Sequence, residues 1–224
     1  IIIFMGPFAK IIKSSSYKRN MLFLVDTSTS MNTKDQRNAN SIENAARALG
    51  EIKQDQNFDV TKANEIQGKI GNPSRIDLAK GTIENSDIID QLSNKFNVSA
   101  YTFDSQLKPI EKEENEANEE NVDLNKSLKL DFIAEGSSTA VGSAINEAVG
   151  KFAGREVAGI VVLSDFISVK GKDPVESARN YAEQNIPIHT LNLGLPSPPD
   201  IHIRKIIGPD VVFKGDRVPL RVQI

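Results

Sequence analysis

Met21-Leu-Phe-Leu-Val25-Asp26-Thr-Ser-Thr-Ser30-Met31 is the stretch that decides the fold. Its first five residues form an unbroken apolar run. A strand with one wet face would alternate apolar and polar side chains, so an unbroken run predicts a strand buried on both faces. That places it at the centre of a parallel sheet. The run stops at a carboxylate and then at hydroxyls. A second run, Ile160-Val-Val-Leu163, stops in the same way at Ser164-Asp165.

Outward from these two strands, the spacing predicts helices. Ser41 is expected to cap one whose apolar side is Ile42, Ala45, Ala46, Leu49 and Ile52. A polar stretch with Gly68, Gly71 and Pro73 follows. Ile76, Ala79 and Ile83 begin another stripe, with Ser86-Asp87 placed to cap its continuation through Ile88, Ile89, Leu92 and Phe96. Val98 to Phe103 is strand-like, and Asp104-Ser105 can turn it towards a short edge strand near Leu107. Val141, Ala144, Ile145, Ala148, Val149 and Phe152 give the cleanest helical stripe. Asp173-Pro174 opens a further helix, with Asp as cap and Pro in the first turn; its apolar side reads as Val175, Ala178 and Ala182. Ile186 to Leu193 is another strand. Strands alternating with helices predict an α/β domain over residues 20–195, with a doubly wound, mainly parallel sheet and helices on both faces.

The flanks differ. Residues 1–19 are an apolar and basic lead-in. The apolar part is shorter than the roughly 20 residues a membrane span takes, but a basic flank beside an apolar run suits the end of a membrane segment. A packed terminus fits equally. Residues 196–200 are a Pro-rich linker. Residues 201–224 carry strand signals and no helix, as the severed start of a β-sandwich module would. The alternating run at Leu220, Val222 and Ile224 reaches the last residue, which suggests a piece of a larger protein. Residues 111–126 hold seven acids and two lysines and read as a solvated loop.

Composition narrows the chemistry. The 224 residues include no Cys and two His, with 27 Lys and Arg against 30 Asp and Glu. There is no disulfide framework, no thiolate metal site and no cysteine nucleophile. A metal would be held by oxygen, which points to Mg²⁺, Mn²⁺ or Ca²⁺. A net charge of −3 gives no overall basic footprint for nucleic acid. Neither a Gly-rich dinucleotide fingerprint nor a phosphate-binding loop is present.

In open parallel sheets, ligands bind outside the carboxyl ends of the strands. Three segments put oxygen side chains there: Asp26 with Ser28 and Ser30, Thr139 before the cleanest helix, and Asp165 after the second buried run. Each has a simpler explanation. Serines after a strand form turns or caps, Thr139 can be a helix cap, and Asp165 can end its strand. Asp104 and Ser164 lie near the same edge and are expected to be supporting residues. His189, inside an apolar strand, is expected to be a core residue, and His202 a surface one.

Asp26-x-Ser28-x-Ser30 followed by Met31, then Thr139 before a helix, then Leu163-Ser-Asp165 after a β run, resembles the von Willebrand factor type A domain. The match covers about residues 20–195. Asp-x-Ser-x-Ser alone is a weak signal, whereas three pieces in order at strand and helix ends are specific. Ser74-Arg-Ile-Asp-Leu-Ala79-Lys80, Tyr101-Thr-Phe-Asp104 and Pro198-Pro-Asp200-Ile resemble bacterial membrane-anchored members, where a type A domain follows membrane helices and precedes immunoglobulin-like modules.

The resemblance implies a metal-ion-dependent adhesion site and no catalysis. Ser28 and Ser30 would hold Mg²⁺ or Mn²⁺, less readily Ca²⁺, through their hydroxyls. Asp26 and Asp165 would act largely through bound water, and Thr139 would alternate between direct and water-mediated contact. The open position would take a carboxylate from a protein partner, and the domain would lie outside the cytoplasm. Many relatives have Gly where this chain has Phe166, which leaves the shape of that loop open. Two rival functions remain. One is a Mg²⁺-dependent hydrolase or phosphatase with Asp26 as nucleophile; it lacks the second acid that such chemistry usually has two residues on, where Ser28 stands. The other is an assembly domain with a vestigial metal site.

Overall fold

The computed structural model describes residues 18–53, 55–111 and 128–195, together with scattered residues between 205 and 223. The chain divides after Gly194 into two units.

The first unit is built on a sheet of five strands: β1 (Asn20–Asp26), β2 (Asn97–Phe103), β3 (Leu107–Pro109), β4 (Val157–Ser164) and β5 (Ile188–Asn192). Their order is β3-β2-β1-β4-β5. β1 runs parallel to β2 and β4, β4 runs parallel to β5, and β2–β3 alone is antiparallel. The chain therefore winds outward from β1 in one direction, then returns to β1's other side and winds outward in the opposite one. The reversal lies between β1 and β4, where a parallel sheet opens a crevice.

All seven β1 residues are buried. Successive side chains point to opposite faces, so β1 serves two cores. Met21, Phe23 and Val25 pack with α1 (Ala39–Ala48), α3 (Arg75–Asn85) and α4 (Ile88–Lys95). Leu22 and Leu24 pack with α5 (Val141–Gly150) and α6 (Pro174–Ala182). The expected doubly wound sheet with helices on both faces is present.

Several local expectations need correction. Asn38, not Ser41, caps α1: its side chain accepts from the Ser41 amide. Gly50 takes φ +77° just after the helix, so Ile52 lies beyond it. The polar stretch before Pro73 contains a helix, α2 (Ala63–Ile70). Asp173 caps α6 as expected, accepting from the amides of Val175 and Glu176. The buried side of α6 is however Ser177 and Tyr181, while Val175 is 67% exposed. Tyr181 donates to Asn146 Oδ1 and Asn146 donates to Ser177 Oγ, so a polar trio joins α6 to α5. His189 is exposed, not buried, because β5 is an outer strand with one neighbour.

The second unit shows, among its described residues, an antiparallel pair, β6 (Lys205–Ile207) with β7 (Arg221–Gln223). No sandwich is defined by these residues. Most of the acidic stretch, the lead-in up to residue 17, the 196–200 linker and His202 lie outside the described residues. Among the described residues, no helix is long and apolar enough to cross a membrane.

Candidate metal centre at the sheet's carboxyl edge

β1 and β4 are neighbours, so the carboxylates that end them flank the crevice. Asp26 is fully buried and Asp165 nearly so. After β1, the chain makes a short 3₁₀ turn over Thr29–Asn32, pinned by Met31, whose side chain is fully buried among the apolar residues under the sheet. The apolar residue that follows Ser30 thus anchors the turn, and the turn presents the serines.

Asp26 accepts from the Ser28 amide at 2.8 Å and from the Ser164 hydroxyl at 2.5 Å. Its partners are all neutral. Burial raises its pKa above the ordinary value, the Asp165 charge adds to the rise, and the bonds from Ser164 and from the Ser28 amide and hydroxyl oppose it.

Ser28 Oγ and Ser30 Oγ lie 3.0 Å apart. Neighbouring ligands of an octahedral Mg²⁺, each about 2.1 Å from the ion, stand about 3 Å from one another. The two hydroxyls therefore already have the spacing of adjacent ligands, and the donor set of hydroxyls and carboxylates is one a hard cation accepts. Among the described residues no three His, Asp or Glu side chains gather to hold a metal, so a centre here would depend on these serines.

The Thr139 loop is brought to the same edge by backbone pairing. Gly136 forms a β-bridge with Ser28; its amide donates to Thr27 O, and the Thr29 amide donates to Gly136 O. A Cβ at Gly136 would stand 2.2 Å from Asp104 Cβ, so glycine permits the approach. Thr139 itself is buried, and its carbonyl accepts from the amides of Val169 and Lys170. The helix cap position belongs to Ala140, which makes no side-chain cap bond. Capping thus does not account for the threonine. Asp104 and Ser164 are supporting residues: Asp104 accepts from the Gln106 amide to close a turn, and Ser164 braces both Asp26 and the Phe166 amide.

Phe166 takes φ +58°. Left-handed backbone costs a non-glycine residue about 1–2 kcal/mol. The side chain packs on the α5–α6 side of the sheet. The Ile167 amide donates to Asp165 Oδ1 at 3.1 Å.

Sequence reasoning missed the ion network behind Asp165. Arg75, the first residue of α3, is held by a capping box in which Ser74 and Asp77 bond each other's backbone amides. Its Nη1 donates to Asp165 Oδ2 at 2.7 Å and approaches the Ser30 carbonyl at 3.4 Å. Its Nε and Nη2 form a fork on Asp35, both at 2.8 Å. Side-chain exposure is 7% for Arg75 and 1% for Asp165. The Asp35 bonds, first of all, hold the Arg75 pKa up against its burial. Gly194 closes over the pair: a Cβ there would be 3.2 Å from Asp165 Cβ and 3.3 Å from Arg75 Cζ.

Asp26, Ser28 and Ser30 are thus drawn into one cluster, Asp165 joins them through Arg75 and its charge on Asp26, and Thr139 follows three residues after the Gly136 that pairs with Ser28. The Asp-x-Ser-x-Ser turn follows β1, the central strand of a mainly parallel sheet, at the point where the winding reverses.

The fold is a doubly wound α/β sheet.

No protein-family model and no curated protein matches the chain. Among solved structures it is similar to conserved hypothetical protein BatB from Bacteroides thetaiotaomicron, with 18% identity over 92% of this chain and 80% of that one, at a TM-score of 0.42. It is also similar to proximal thread matrix protein 1 of the mussel byssus, with 11% identity over 77% of this chain and 37% of that one, at a TM-score of 0.41. The resemblance to type A domains is carried by the sequence motifs, not by these distant likenesses.

An apolar cavity of about 330 Å³ lies beside β5, lined by residues such as Phe23, Ile83, Leu92, Leu163 and Leu191. It has no carboxylate in its lining and shares no residue with the Asp26–Ser30 turn.

Proposed function

We propose that this type A-like domain is a non-enzymatic protein-binding module, used in adhesion or assembly, that takes a partner's acidic side chain through a divalent metal. The observation that carries this reading is the pair of serine hydroxyls 3.0 Å apart on the turn after β1, between two strand-end carboxylates. Ser28 and Ser30 would hold Mg²⁺ or Mn²⁺. Asp26, Asp165 and Thr139 would orient the water around it. A bound ion supplies an electrophile for a carboxylate, and few charged ligands on the ion keep it one. We further propose that the domain belongs to a membrane-attached bacterial protein and lies outside the cytoplasm, with the β6–β7 pair at the start of an immunoglobulin-like module. These last points rest on the sequence resemblance.

The test is retention of peptides bearing a single Asp or Glu on immobilised protein. Retention is expected in Mg²⁺, with loss in EDTA and loss in the Ser28→Ala/Ser30→Ala variant. Retention that EDTA leaves unchanged would instead favour an assembly domain with a vestigial site. One feature favours that second reading: Arg75 already satisfies Asp165 without any metal.

A further inference from the structure

We propose that Arg75 is an affinity-setting residue that weakens the bare metal site and thereby makes metal binding depend on the partner's carboxylate. This rests on the metal reading above and adds a regulator to it. The geometry behind it is a shared carboxylate. Asp165 Oδ2 is taken by Arg75 at 2.7 Å and Oδ1 by the Ile167 amide at 3.1 Å. An ion beside the serines would face a carboxylate whose charge is already partly offset by a fixed guanidinium, which it shares with Asp35. The same Arg75 nitrogen that holds Asp165 lies 3.4 Å from the Ser30 carbonyl, so the positive charge sits against the turn that would carry the ion. An ion would add a second cation beside an Asp165 that Arg75 already holds, in a site screened from water where like charges repel strongly.

The guanidinium cannot swing away. Its other two nitrogens are forked on Asp35, and Gly194 closes over it. Arg37 adds to the local positive charge: its Nε and Nη2 are buried without a hydrogen-bond partner. An incoming carboxylate would offset the surplus charge that an ion brings, so ion and partner would each strengthen the other's binding by the same factor.

The test is Mn²⁺ affinity of the full chain, read by electron paramagnetic resonance, with and without acetate as the carboxylate probe. Melting in EDTA is read alongside. Arg75→Gln removes the charge and is expected to tighten Mn²⁺ about tenfold or more, and to reduce the strengthening by acetate. Asp35→Asn leaves Arg75 with one carboxylate fewer to balance it and is expected to weaken Mn²⁺. Arg75→Lys keeps the charge and is expected to hold Mn²⁺ affinity near that of the unaltered chain while melting earlier. A purely structural Arg75 would make Arg75→Gln and Asp35→Asn weaken the metal alike, and that result would overturn the proposal. If Arg75→Gln does not fold, unchanged or tighter binding in Asp35→Asn overturns it. If the unaltered chain binds no Mn²⁺, the metal reading itself fails. If it binds and only the signs are wrong, the role of Arg75 alone fails.

Discussion

Asp26 and Asp165 end neighbouring strands, are both buried, and live in opposite electrostatic surroundings. Asp26 is held by a serine hydroxyl and a backbone amide, with no cation among its bonded partners. Asp165 is clamped by a guanidinium. The supports differ as well. The Asp26 side is tied to the Thr139 loop by a β-bridge at Gly136, and the Asp165 side is shaped by a left-handed Phe166. One carboxylate carries charge that only neutral dipoles relieve. The other is held by a guanidinium that it shares with Asp35. A site with one anion free to attract an ion and one held in reserve is suited to binding a cation loosely.

The comparison can be broken hardest at Arg75. Removing one partner of a buried ion pair costs about 3–5 kcal/mol, because it strands the other charge. Arg75→Met removes the guanidinium from Asp165, which is 1% exposed at its side chain, and from Asp35, so a loss of about that size is expected in urea unfolding with EDTA present. A loss below about 1 kcal/mol would place the pair in the class of exposed, weak bridges.

A smaller effect is expected at Phe166. Both Phe166→Ala and Phe166→Gly lose the packing, but only glycine relieves the left-handed backbone. The glycine variant is expected to be the more stable of the two by about 1 kcal/mol, read from paired unfolding curves. Equal stabilities would mean that the backbone there is unstrained in solution.

Smallest is a change in pH slope at Asp26, whose burial is partly offset by its hydrogen bonds. Its folded pKa lies above the ordinary 3.8, so between those two values the folded chain holds more protons than the unfolded one. The contribution of Asp26 to stability is therefore present at low pH and falls as pH rises through that window. Metal-free Asp26→Asn is expected to lose this downward component, measured as the difference between the two melting curves across pH in EDTA. A steeper fall in the variant would reverse the assigned cause.

The two strands that carry the site were legible because burial on both faces forces unbroken apolar runs, which few other structures impose. The carboxylates at their ends were legible for the same reason, since such a run has to stop at the edge where water begins. Other parts were not. β5 has an apolar sequence but lies at the sheet's edge, so His189 is exposed where the pattern suggested burial. α6 buries Ser177 and Tyr181 through hydrogen bonds to Asn146, and apolar periodicity is blind to a face built that way. The Arg75–Asp165 contact joins residues 90 apart in sequence. Its trace in the sequence is only an arginine after a capping serine, which reads equally well as a solvent-facing helix start.

The central claim is that Ser28 and Ser30 hold a divalent cation. The direct measurement is the melting temperature of the full chain in EDTA and in rising Mg²⁺, beside that of Ser28→Ala/Ser30→Ala. A ligand that binds only the folded state stabilises it by about 2.7 kcal/mol at a hundred times its dissociation constant. The account predicts a melting temperature that climbs with Mg²⁺ in the unaltered chain and stays flat in the variant. No climb, or the same climb in both, would contradict it.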